Sequence, residues 1–278
     1  MITGKNGIHA KIVEDTLSEA GQRITTMELR YHRFIHSELM THRKFSRNAS
    51  SSRAVPVFKI IEQTVKDPAI PIHWGKNRPG MQAHEEEINP DLALAYWLVS
   101  RDAAVESATK LVELGLHKQV ANRLLEPFQF ITTLVTSTEW DNFFELRISP
   151  YAQPEINELA LCMQKALKES TPKNKTYHLP YIKEEEGHRR GLYELFKISA
   201  ARCCRISYLK HVGEESSIEE DIARADELIR LKHSSPFEHQ AIALLNKNET
   251  SRNFDGWRQY RSLIENHAGN WIWMKKTS

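Results

Sequence analysis

Ile24-Thr-Thr-Met-Glu-Leu-Arg-Tyr31, followed by Thr41-His-Arg-Lys-Phe-Ser-Arg-Asn-Ala-Ser-Ser-Ser-Arg53, is the stretch whose reading decides the fold. In the first half Met27, Leu29 and Tyr31 fall on one face and Glu28 and Arg30 on the other, the period-two signature of a half-buried strand. Between the two halves, His32 to Met40 carries Phe34, Ile35, Leu39 and Met40 without Gly or Pro, which predicts a short helix. The helix feeds a loop over Thr41 to Pro56. From Leu39 to Ile61 there is no acidic residue, while Arg43, Lys44, Arg47, Arg53 and Lys59 all fall there. Cationic forks beside hydroxyls and backbone amides form the donor set that holds a phosphate in a fixed orientation. Composition alone leaves a solvated basic loop equally open.

Working outward, residues 66 to 90 are broken by Pro and Gly among polar residues and read as an irregular excursion. Asn89-Pro90 is an N-cap followed by proline at the first helical position, and the helix it starts runs to Gly115. A second helix is expected over Lys118 to Phe128. A third opens at Pro154, with Leu159, Met163 and Leu167 on one face. The polar stretch 170 to 190 reads as a surface linker. Beyond it, Ser217-Ile-Glu-Glu220 matches a capping box, Ile218, Ile222, Ala225 and Ile229 form an apolar stripe, and Gln240 to Leu245 suits a strand.

Charged residues make up 27% and hydrophobic ones 40%, which excludes collagenous and wholly disordered chains. A net charge of +2 gives no global basic field for nonspecific nucleic-acid binding, so an anion site has to be local. Cys162 and the adjacent Cys203 and Cys204 offer no CxxC zinc pattern and suggest a reducing compartment, with the thiols buried as small hydrophobes. The first residues lack an apolar signal core and no stretch nears the roughly 20 apolar residues of a membrane span. The expectation is a cytoplasmic protein with no membrane partner.

Three blocks carry a family resemblance. His42-Arg43, seven residues, then Ser51 resembles the Arg-His-Arg, seven residues, Ser signature of flavin-dependent thymidylate synthases, with Asn48 and Arg53 also in register. Thr41 stands where that motif has its first Arg, and Ala49 where it has Glu. Gln119 to Pro127, then Thr136-Ser-Thr-Glu-Trp-Asp-Asn-Phe-Phe-Glu-Leu-Arg147, is similar to the family's helical half. Cys204-Arg-Ile-Ser-Tyr208 and His233-Ser-Ser-Pro-Phe-Glu-His239 resemble blocks that usually precede the Arg-His-Arg motif. Here they follow it, an order that resembles the circularly permuted, phage-type variant and that folds tolerate when the original termini lie close together.

The resemblance implies an α+β fold, a mixed or antiparallel sheet flanked by helices, in one interwoven domain over 1–278. Its parts are the strand, helix and phosphate loop of 1–65, the helical half of 89–170 and the permuted segment of 191–278. It implies FAD as cofactor, methylenetetrahydrofolate and NADPH as co-substrates, and dUMP or dCMP as the nucleotide. It also implies a homotetramer with active sites between subunits. By the same likeness Arg147 is the catalytic residue that polarises the pyrimidine. Thr41, His42, Arg43 and Asn48, with Thr136, Thr138 and Asn142, fall to the cofactor, as do His233 and Ser235. Ser50, Ser51, Ser52, Arg53 and Arg123 fall to the nucleotide. Glu38, just before the loop, joins them because cytosine lacks an N3 proton and prefers an acid at that edge.

Other readings stand beside these. His32 and His36, four apart, share a helical face, but Arg33 follows where a metalloprotease has Glu, and no metal is expected. His239 is read as structural. Ser51 has no recognisable base beside it and is read as a binding hydroxyl. The aromatic block Gly256 to Trp273 is read as core before base-stacking surface. Two further functions remain: a hydroxymethylase on the same scaffold, in which water captures the transferred carbon, and a nucleic-acid-binding module, which the near-neutral charge disfavours.

Overall fold

A computed structural model describes residues 1–83, 85–188, 190–207 and 216–265. Its central sheet is built on strand β3 (Arg23–His32). One edge of β3 pairs antiparallel with β2 (His9–Leu17), and the other with β5 (Phe130–Ser137). Beyond β5 lies β4 (Ser46–Ala49), and the outer edge of β2 takes β1 (Ile2–Thr3) at one end and β6 (Lys173–Asn174) at the other. All contacts in this sheet are antiparallel except that of β6 with β2, so the sheet is mixed.

The alternation along β3 places Met27, Leu29 and Tyr31 on the face that packs against α6 (Pro154–Glu169), through Ile156, Leu159, Ala160 and Met163. The opposite face is covered too, contrary to the half-buried expectation. Thr26 is fully buried there and Glu28 accepts a hydrogen bond from the Tyr181 hydroxyl. The cover comes from the expected linker. Tyr177–His178 forms β7, paired with β8 (Ala241–Ala243), which pairs in turn with β11 (Trp257–Gln259). His178 is fully buried, its Nδ1 2.8 Å from Thr16 Oγ1 and its Nε2 2.7 Å from Thr26 Oγ1. Thr26 bonds Thr136 at 2.7 Å, and Thr136 bonds His239 Nδ1 at 2.8 Å. This hydrogen-bonded chain joins β2, β3, β5 and the C-terminal segment, which is why a polar sequence sits inside rather than out in solvent.

The helices follow their sequence signals closely. The short α1 (His36–Met40) leaves β3 after one 3-10 turn. The 24-residue α3 (Pro90–Glu113) is capped by Asn89, whose side chain accepts from Leu92 N. It ends where Gly115 takes φ +89° while Leu116 N–H donates to Leu111 O, a Schellman closure that favours glycine. Lys118–Ala121 (α4) is helical, but Asn122–Phe128 tightens to a 3-10 turn around Pro127. The capping box of Ser217 and Glu220 starts α9 (Ile218–Arg230), which packs on α8 (Leu192–Cys204). The sequence reading did not place α2 (Val57–Lys66), β4 inside the basic loop, strands β2 and β5, or α8. The three cysteines are buried and unbridged. Trp257 and Tyr260 are core residues as expected, whereas Trp271 and Trp273 lie outside the described residues, as does Tyr208. No helix among the described residues is long and apolar enough to cross a membrane.

Candidate functional site

The site begins where α1 ends. Its last turn presents Glu38, Thr41 and His42 to Arg147, the last residue of α5 (Asp141–Arg147). Arg147 uses all three arms of its fork: Nε donates to His42 Nε2 at 3.0 Å, Nη1 to Glu38 Oε2 at 3.1 Å, and Nη2 to Thr41 Oγ1 at 3.3 Å. Because His42 Nε2 accepts, the imidazole is neutral and carries its proton on Nδ1. Burial, with Arg147 and Arg47 close by, lowers its pKa to about 4, in agreement with the neutral form. The ring stands edge-on to Phe143 at 4.7 Å. Burial raises the Glu38 pKa, and Arg147 opposes the rise. The short Thr41 suits this arrangement, since an arginine there would set a second cation against Nη2 of Arg147.

A second cluster gathers on Glu126. Its Oε1 accepts from Ser52 Oγ at 3.0 Å and from Arg123 Nη1 at 2.7 Å, and pairs with Arg33 at 3.0 Å. Asn122 Nδ2 holds the Ser52 carbonyl at 2.7 Å, and Ser50 continues the ladder of β4 by exchanging bonds with Thr132. Ser52 and Arg123 thus share one acceptor, with Ser51 half-buried and Arg53 exposed on either side of Ser52 in the chain.

The third feature is a cavity of about 320 Å³. Arg43, Phe45 and Arg47 line one side of it; Glu238, Arg252, Asn253, Gln259 and Arg261 line the other. Of the cofactor residues expected from sequence, only Arg43 is here, next in the chain to His42. Asn142 is exposed on α5, His233 is exposed beyond the end of α9, and Ser235 is half-buried in the turn leading to Glu238. Thr138 Oγ1 accepts from Asp255 N at 3.0 Å.

Two expected cofactor residues lie in the interior instead. Asn48 donates to Cys203 O at 2.7 Å and accepts from Ser207 Oγ at 3.1 Å, fastening β4 to the end of α8. Thr136 is fully buried within the Thr–His chain. Of the pair weighed as metal ligands, His32 donates to Ile70 O and His36 bonds the Tyr31 hydroxyl. Of the C-terminal cavity residues, Glu238 lies in the His233–His239 block and Gln259 and Arg261 in the aromatic block read as core, while Arg252 and Asn253 escaped the sequence reading. The available signal was polar Gln259 between Trp257 and Tyr260, which is buried with them.

No curated protein matches the chain. A family model described as thymidylate synthase complementing protein (Thy1) matches residues 15–173, a span holding Glu38 to Arg53 and Arg123 to Arg147 and more than half of the sequence. The chain that folds Arg147 onto His42 and Glu38 therefore belongs to the Thy1 family.

Proposed function

We propose that this protein transfers a one-carbon unit from methylenetetrahydrofolate to C5 of dUMP and reduces it to give dTMP, with FAD as cofactor and NADPH as reductant. The observation that supports this most is the convergence of Glu38, Thr41 and His42 on Arg147 in a chain of this family. The cationic donor set of the 41–53 loop and the adjoining cavity fits an anionic dinucleotide cofactor. When bound, the flavin supplies the hydride that completes the methyl group. Arg147 stabilises the negative charge that develops on the pyrimidine, and it is held in place by neutral His42 before substrate arrives. Ser51 and Arg53, with Arg123, anchor the nucleotide phosphate.

The quaternary reading is a homotetramer with sites shared between subunits. In its favour, Leu92, Tyr96 and Val99 follow one another at helical spacing along α3 and are 55%, 67% and 63% exposed, an apolar stripe without cover in the single chain.

One observation favours a second reading, hydroxymethylation of dUMP or dCMP. The Glu38 carboxylate offsets part of the Arg147 charge that would ionise uracil at N3, and it offers an acceptor to the amino group of cytosine. The test is an absorbance spectrum of the purified protein, then incubation with methylenetetrahydrofolate, NADPH and either nucleotide, with products identified by mass. Yellow protein giving dTMP supports the first reading, and a hydroxymethyl product moves the assignment to the second. No flavin uptake and no turnover after FAD is added would remove both.

A further inference from the structure

Glu126 lies in the Gln119 to Pro127 block, yet the family resemblance gives it no role. Its Oε1 alone takes three donors: the Ser52 hydroxyl at 3.0 Å, Arg123 Nη1 at 2.7 Å and Arg33 Nη2 at 3.0 Å. We propose that Glu126 is a specificity-determining residue, an internal anion that occupies the phosphate donors of the nucleotide site until the phosphate of a deoxynucleotide displaces it.

The donor set is the first argument. One hydroxyl and two guanidinium groups directed at a single oxygen suit a phosphate oxygen, which accepts several charge-assisted bonds at once. A carboxylate oxygen in that position imitates one. Ser51 and Arg53 adjoin Ser52 in the chain, so the donors that Glu126 holds are those expected to take the nucleotide, or their immediate neighbours. Charge is the second. Among the described residues Glu126 is the only ion-pair partner of Arg33 and of Arg123, while Arg53 and Lys118 have none. Lys118 joins the group by donating to Ala54 O at 3.4 Å. Four cations thus accompany one acid, a local excess that a phosphate dianion balances better than a single carboxylate.

Independence of the loop is the third. Asn122, fully buried, donates to Ser52 O at 2.7 Å and to Val55 O at 3.1 Å, and Ser50 N–H donates to Thr132 O at 2.8 Å. These bonds hold the loop backbone without help from Glu126. The Glu126 side chain is 25% exposed and that of Arg123 53%, so a ligand from solvent reaches the pair. The carboxylate can give up its donors while the loop that presents them stays in place.

An internal anion weakens every ligand that needs these donors by the same factor, the reciprocal of the fraction of time they are free. Inorganic phosphate has no other contacts with which to overcome that factor. A nucleotide does, through its base and sugar, so the site stays open to nucleotides in the presence of free phosphate. The nucleotide as displacing ligand rests on the function proposed above, whereas the internal anion does not.

The experiment measures binding to the full chain by calorimetry, with inorganic phosphate, dUMP, dCMP and deoxyuridine as probes. Glu126→Gln and Glu126→Ala are compared with the unaltered protein; the first keeps an acceptor for the Ser52 hydroxyl and removes only the charge. The expected result is that both variants bind phosphate and dUMP about tenfold more tightly, with deoxyuridine affinity unchanged. A merely structural strut predicts the opposite sign, because its loss scatters the donors. If phosphate tightens in both variants while neither nucleotide binds any of the three proteins, the internal anion stands and the nucleotide reading falls. Phosphate affinity that is equal or weaker in both variants, or phosphate that binds none of the three, overturns the proposal.

Discussion

The guanidinium of Arg147 donates to Nε2 of His42 at 3.0 Å, so a neutral imidazole, not a carboxylate, fixes the orientation of the cation from one side. Replacing His42 with Phe keeps the packing on Phe143 and removes the acceptor. We expect kcat to fall by about 10²-fold while flavin binding is largely kept, and Arg147→Ala to fall further, by about 10³-fold or more. Steady-state kinetics beside the flavin absorbance spectrum separate the two effects. Loss of flavin together with turnover in Arg147→Ala would contradict the division of roles.

Glu38 is placed to tune the same cation. In Glu38→Gln the charge on Arg147 is no longer offset, so uracil ionisation should be favoured and a cytosine amino group should lose its charged acceptor. The predicted outcome is a shift of the dUMP to dCMP ratio of kcat/KM toward dUMP by about tenfold, equivalent to about 1.4 kcal/mol. An unchanged ratio with both nucleotides still turned over would show that Glu38 does not read the base.

Acid should unfold this protein early. Burial lowers the pKa of both His178 and His239 to about 3 from 6.5. Between those values the unfolded chain binds protons that the folded chain refuses. The contribution of the two neutral imidazoles is therefore complete above pH 6.5 and is lost as pH falls toward 3. Each costs on the order of 1.4 kcal/mol per pH unit well inside that window. Urea midpoints at pH 7.5, 5.5 and 4.5 should fall in order, and His239→Gln should shallow the slope. A flat profile would mean that protonated histidines are accommodated in the fold.

The core prediction is simpler. Met163 is fully buried between α6 and the Met27, Leu29 face of β3. Met163→Ala should destabilise the fold by about 2–5 kcal/mol, read as a lower urea midpoint with an unchanged slope. A cost below about 1 kcal/mol would indicate that the site collapses onto the cavity.

Legibility in the sequence followed the range of the interactions. Asn89, Gly115, Ser217 and Glu220 act within one turn of their own helices, and each end they mark is where the sequence places it. The alternation of β3 was readable because one face meets a continuous apolar layer. Strand β4 was not, because its ladder pairs Asn48 with Leu134, far along the chain, and its residues look like an anion loop. For the same reason the 170–190 stretch looked like a linker: what buries His178 is Thr16 and Thr26. At the site, Thr41, His42, Arg43 and Arg147 were found through motif likeness, and Glu38 through the chemistry of the cytosine N3 edge. Arg252 and Gln259 carry no motif and enter only by the folding back of the hairpin of β9 (Thr250–Ser251) and β10 (Phe254–Asp255).

The Thr16, His178, Thr26, Thr136, His239 chain has a consequence for how such a protein can change over generations. It is a weld made of side chains, indifferent to which end of the polypeptide delivers each partner. A gene rearrangement that moves the segment carrying His239 from the front of the chain to the back leaves the weld intact, provided the segment still arrives. The order of the polypeptide is then free to drift while its interior stays the same.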